Sequence, residues 1–171
     1  MSRAPRGFSA LEFLFTVTLI GTLMAVFLQR VDYYRERAEK VAMEQVARDI
    51  ASALRIRVAE LMLASRWDEI GRLESANPVD ALQLQIGNYA GAGGKAAESS
   101  VEEGRWYFDR ETRELVYFPQ VASNFVSRPG ERPRVSWHIV VVREAPRRGA
   151  PARPLWARLE LVRPYRWFES G

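Results

Sequence analysis

Cysteine is absent from the 171-residue chain, and histidine occurs once, as His138. No disulfide framework, thiolate metal site or histidine pair can form from such a set. Lysine is scarce as well: of 25 basic side chains only Lys40 and Lys95 are lysines, and the other 23 are arginine. The 21 acids leave a net charge of +4, or +2 once Arg3 and Arg6 are set aside. That excess is too small to single out a nucleic-acid partner, and none is expected. Proline is missing from Phe8 to Trp67, where the one glycine is Gly21. A single uninterrupted helix is therefore expected from Phe8 to Arg66, roughly 88 Å long.

The first part of that helix is apolar. Phe8 to Leu28 is 21 residues with one ionisable side chain, Glu12. At about 1.5 Å per residue it matches a hydrocarbon core of roughly 30 Å. Arg3 and Arg6 precede it and predict an N-terminus on the cytoplasmic side. A secretory signal has a shorter apolar region followed by a small-residue cleavage site. Here no such site precedes Gln29, and the cleavage-like junction, Gly7-Phe8, lies before the apolar run. An acid inside a membrane helix costs about 2–3 kcal/mol on insertion scales and calls for a partner. No base lies within helical reach of Glu12 in the segment.

Beyond Leu28 the pattern becomes amphipathic. Tyr34, Ala38, Ala42, Val46, Ile50, Leu54 and Val58 recur every fourth residue, with Leu61 and Met62 after them. Each step overshoots the helical turn by about 40°, so this stripe winds around the helix. Such a stripe suits a helix whose lower half meets neighbouring chains and whose upper half carries its own domain. Plain core packing is the alternative for Ala38 and Ala42.

Asn77-Pro78 with Asp80 reads as a helix start and Gly87 as a stop, although Leu82, Leu84 and Ile86 alternate as in a strand. Residues 88–100 are small and glycine-rich and read as a surface loop. Gly94-Lys95 lacks the spacing of a phosphate loop. Residues 105–109 and 114–118 form a hairpin in the reading, and 134–143 and 155–162 two further strands. His138 sits in an apolar strand pattern and is read as structural. Asp109 and Glu111 form no recognisable calcium loop. The ending Arg163–Ser170 interleaves bases with aromatics. It reads either as a stacking platform for single-stranded DNA or as a last strand packed on the sheet edge.

The residues Gly7-Phe8-Ser9-Ala10-Leu11-Glu12, a short basic leader and an immediate apolar helix resemble the prepilin signature of type IV pilins and type II secretion pseudopilins. The close match covers residues 6–30. The hairpin is also similar to minor pilins of mannose-sensitive-haemagglutinin-type systems. Many pilins have a helix-kinking proline where this chain has Gln29. The resemblance implies an α+β, pilin-like fold, with one very long N-terminal helix on a four-stranded antiparallel sheet. It divides the chain into a leader (1–7), a transmembrane half (8–28), an amphipathic half (29–70), a connecting region (71–104) and the sheet of the head (105–171). It implies cleavage after Gly7, methylation of the new amine on Phe8, and an assembly role for Glu12, paired with the N-terminal amine of a neighbour. The implied partners are other pilin or pseudopilin subunits, prepilin peptidase and an inner-membrane assembly platform. The implied location is the bacterial inner membrane, with the head periplasmic, and then a pilus or pseudopilus. No catalytic residue, cofactor or metal is implied. The lack of cysteine and the acid-poor C-terminus point to a minor subunit.

Overall fold

The long N-terminal helix α1 (Ala10–Leu63) dominates the computed structural model, which describes residues 9–144 and 152–168. Its 54 residues correspond to about 81 Å. It ends three residues before the expected Arg66. Ser65 adopts a left-handed φ of 57°. The amides of Ala64, Ser65 and Arg66 then close back on the carbonyls of Glu60, Met62 and Leu61. A short helix α2 (Trp67–Arg72) and a 3-10 turn (Leu73–Ser75) follow, and then α3 (Pro78–Ala81), capped by Asn77. The helix beginning at Pro78 is thus real but ends before Leu82, and 82–86 forms no strand.

The sheet differs from the expected four antiparallel strands. It has five: β1 (Tyr89–Gly93), β2 (Arg105–Asp109), β3 (Glu114–Phe118), β5 (Val135–Arg143) and β6 (Pro154–Leu161), in the order β1-β2-β3-β5-β6. The four expected strands are present and antiparallel. β1 joins them parallel to β2. It arises inside the glycine-rich stretch read as a loop, which also holds the one-turn helix α4 (Lys95–Glu98). Gly93 lets β1 lie against Tyr107, since a Cβ there would fall 2.6 Å from the Tyr107 hydroxyl oxygen. That hydroxyl donates to the Gly94 carbonyl at 2.9 Å.

A second, two-stranded sheet pairs β4 (Phe125–Val126) with β7 (Arg166–Trp167). The chain's last described aromatics are therefore on a separate ribbon rather than on the edge of the main sheet. Their rings pack among themselves: Phe125 lies parallel to Tyr165 and edge-on to Trp167.

One straight face of α1 meets the sheet. Glu36, Met43, Ile50, Leu54, Val58 and Leu61 are buried along it, at steps averaging close to the 3.6-residue turn. Met43 and Ile50 pack with Trp106, Leu115, Trp137 and Trp167. Leu54, Val58 and Leu61 pack with Ile70, Ile139 and Ala157. The four-residue series behaves as a winding stripe: Tyr34, Ala38 and Ala42 are exposed, Val46 is half-buried, and Ile50, Leu54 and Val58 are inside. On the outer face Tyr107, Val116 and Phe118 are covered, with the Arg132 guanidinium 4.0 Å above the Phe118 ring.

Candidate functional site

The expected site residues are Gly7, Phe8 and Glu12. Gly7 and Phe8 lie outside the described residues. Glu12 is the third residue of the helix, and its carboxylate accepts the Ser9 backbone amide at 3.0 Å, while the Ser9 hydroxyl accepts from the Leu11 amide at 3.2 Å. Ser9-x-x-Glu12 is thus a capping box, a pattern legible in the sequence that the search for a charged partner overlooked. The positive end of the helix dipole also favours an acid there. Glu12 therefore has a local use within its own chain.

The apolar part of α1 has no cover. From Leu11 to Leu28 the large apolar side chains are between 48% and 77% exposed. Among the described residues this is the one helix long and apolar enough to cross a bilayer. The threonine hydroxyls within it are satisfied internally: Thr16, Thr18 and Thr22 donate to the carbonyls of Glu12, Leu14 and Thr18 at 2.7–2.9 Å. Such bonds remove the cost of an unpaired hydroxyl in an apolar medium.

Exposure continues along the upper half on the side opposite the sheet. Tyr34, Ala38, Val41, Ile56, Ala59 and Leu63 are all exposed, with Ile56 at 63% and Leu63 at 89%. At about 100° per residue these six fall within one arc of roughly 60°, on the far side from Glu36, Leu54 and Leu61. The helix thus has an apolar face for its own head and a second, outward row of apolar side chains that exposed Gln45 and Ser52 interrupt.

Near the apolar segment, carboxylates hold the head to α1. Buried Glu36 accepts from the Asn124 amide (2.8 Å), the Asn124 side chain (2.7 Å) and the Trp167 indole (2.9 Å). Glu39 accepts from the Tyr117 hydroxyl and from the amides of Gln120 and Val121. Glu44 accepts from the Tyr165 hydroxyl at 2.9 Å. Burial, followed by these carboxylate contacts, pushes both tyrosine hydroxyls well above their ordinary pKa.

Reactive chemistry is sparse. Among the described residues no group of three or more His, Asp or Glu side chains could hold a metal ion. His138 lies on β5 opposite Glu160 of β6. Asp109 is taken up by its turn, accepting from the Glu111 amide and the Thr112 hydroxyl. No protein-family model matches the chain, and neither curated proteins nor solved structures give a match.

Proposed function

We propose that the chain is a membrane-inserted structural subunit, a minor pilin or pseudopilin of a type IV pilus or type II secretion fibre. In this reading prepilin peptidase cuts after Gly7, the new amine on Phe8 is methylated, and subunits assemble through α1. The observation that carries the proposal is the second apolar face of that helix. It runs from the uncovered segment Leu11–Leu28 along Tyr34, Val41, Ile56 and Leu63, interrupted by Gln45 and Ser52, with Ile56 at the edge of a groove shared with Leu82. A monomeric anchor needs apolar side chains only as far as the bilayer reaches; a helix packed among copies needs them beyond it.

The capping box supports a second reading, a single-pass anchored binding domain that does not polymerise. Ser9 alone gives Glu12 a structural use. The two readings separate on one substitution. Glu12→Gln retains a capping acceptor but removes the charge, since glutamine also serves in a capping box. If Glu12 pairs with a neighbour's amine, Glu12→Gln loses entry into the sheared fibre fraction as fully as Glu12→Ala does. Fibre entry of Glu12→Gln at the unsubstituted level discards the charge-pairing role. An N-terminal peptide mass that retains residues 1–7, or that shows an unmodified Phe8, discards the processing.

A further inference from the structure

The end of the head nearest the apolar segment is a collar of arginines and aromatic rings built from both ends of the chain. On α1 it comprises Arg30, Tyr33, Arg35 and Arg37; from the end of β7, Phe168 joins it. Phe168 packs edge-on against Tyr33 with centroids 5.4 Å apart. The Arg37 guanidinium lies over both rings, at 5.1 Å from Tyr33 and 5.2 Å from Phe168. The neighbouring Trp167 fixes this end to Glu36. Arg30, Arg35 and Arg37 follow Leu28 by two to nine residues, so their backbones stand roughly 3–14 Å beyond the apolar segment. That is the depth of lipid headgroups and the water next to them, and long arginine side chains reach towards it.

Among the described residues, no ion pair involves Arg30, Arg35 or Arg37. Arg30 and Arg35 are exposed. Among the described residues Arg37 makes ring contacts alone, and these do not use the N–H groups in the guanidinium plane. The acids between 29 and 38 are Asp32 and Glu36, and Glu36 is buried and taken up by Asn124 and Trp167. Asp32 is the remaining acid of that span, and Glu169 lies outside the described residues. Aromatics with exposed arginines just outside an apolar helix are the composition of a bilayer interface.

We infer that this collar binds the phosphates of anionic lipid headgroups in the leaflet where the apolar segment ends, seating the head on the membrane. The inference rests on the membrane-spanning reading of α1 proposed above. An acidic peptide or nucleic acid would meet the same arginines. The bilayer is favoured because the collar is continuous with the apolar segment and its rings are engaged with one another instead of lying open for base stacking.

The test uses the full chain in lipid nanodiscs of zwitterionic lipid alone or with phosphatidylglycerol added, read by amide hydrogen exchange over residues 30–40 and 162–168. Exchange there should slow by roughly fivefold or more with phosphatidylglycerol, and the effect should vanish at high salt. The combined variant Arg30→Gln, Arg35→Gln should lose the effect, and the corresponding lysine variant should keep it. Equal exchange in the two discs overturns the inference, as does an undiminished lipid effect in the glutamine variant. Equal slowing on zwitterionic discs by an added oligonucleotide or acidic peptide overturns the choice of lipid. Failure of the chain to co-purify with discs overturns the membrane-spanning reading, and the inference with it.

Discussion

The Trp167 indole N–H donates to a carboxylate oxygen of Glu36 at 2.9 Å, and both residues are almost fully buried. This bond ties the last described strand to the helix eight residues beyond Leu28. It makes the base of the head one unit with the helix, although its two ends are 131 residues apart in sequence.

Removing that acceptor should loosen the base of the head first. Glu36→Ala leaves the Asn124 amide, the Asn124 side chain and the Trp167 indole without their partner. An expected cost of about 2–4 kcal/mol follows from orphaning buried donors. Glu36→Gln keeps an acceptor and should cost clearly less. Urea unfolding of the full chain in detergent micelles, followed by tryptophan fluorescence, gives both values. Equal stability of Glu36→Ala and the unsubstituted chain would remove Glu36 as an anchor.

The tyrosine contacts to the same helix predict the response to alkali. Tyr117 and Tyr165 have hydroxyls whose pKa burial, and then Glu39 and Glu44, hold above the ordinary value of 10.0. A group whose pKa is raised on folding contributes stability that is complete below its unfolded pKa. That contribution is lost as pH rises from there through the folded value. Stability should therefore be flat with respect to these two groups below about pH 10 and fall above it. In a spectrophotometric titration the Tyr117→Phe and Tyr165→Phe variants should each lose a late-ionising component. Loss of an early component instead would contradict the assignment.

The parallel strand β1 is one element that sequence reasoning missed, and it makes its own prediction. In Gly93→Ala the new Cβ meets the Tyr107 hydroxyl at 2.6 Å and the Ala97 Cβ at 3.1 Å. Tyr107 is buried and bonded to Gly94, so it has little room to yield. A destabilisation of about 1–3 kcal/mol is expected. At Gly94 the nearest atom is the Glu111 carboxylate tip at 2.4 Å, the end of an exposed, flexible side chain, and the backbone is extended. Gly94→Ala should cost less than about 1 kcal/mol. Thermal unfolding of the two variants side by side decides it: equal costs would mean that β1 does not pack as described.

Much of the architecture is legible because its signals are local. The helix shows as a long stretch without proline, and the β2–β3 hairpin as two aromatic, β-branched runs around a turn. What stayed hidden depends on partners distant in sequence. Glu36 looks like a surface residue of an amphipathic helix, and only Asn124 and Trp167 make its burial possible. β1 reads Tyr-Ala-Gly-Ala-Gly, a composition with low strand propensity, and it forms because glycine allows the close approach of Tyr107. The two-residue strands β4 and β7 are too short to leave a periodicity. At Glu12 the difficulty was the reverse. The capping box is wholly local, and attention to a remote charge partner hid it.

The two faces of α1 can be separated by paired substitutions at Leu54 and Ile56. Leu54 is fully buried, so Leu54→Ala should cost about 2–5 kcal/mol in unfolding. Ile56 is 63% exposed and lines a groove on the helix flank with Ala53 and Leu82. Ile56→Glu places a better helix former on an exposed position and should change unfolding by no more than about 0.5 kcal/mol. If the outward face packs against other copies, the same substitution buries an unpaired charge in the fibre, and incorporation should drop by roughly tenfold or more. Val41→Glu, on the same arc, should repeat the result. Measuring the sheared fibre fraction alongside monomer unfolding keeps the two effects apart. Normal incorporation of both glutamate variants would leave the outward apolar face without an assembly role, and the anchored-domain reading would stand in its place.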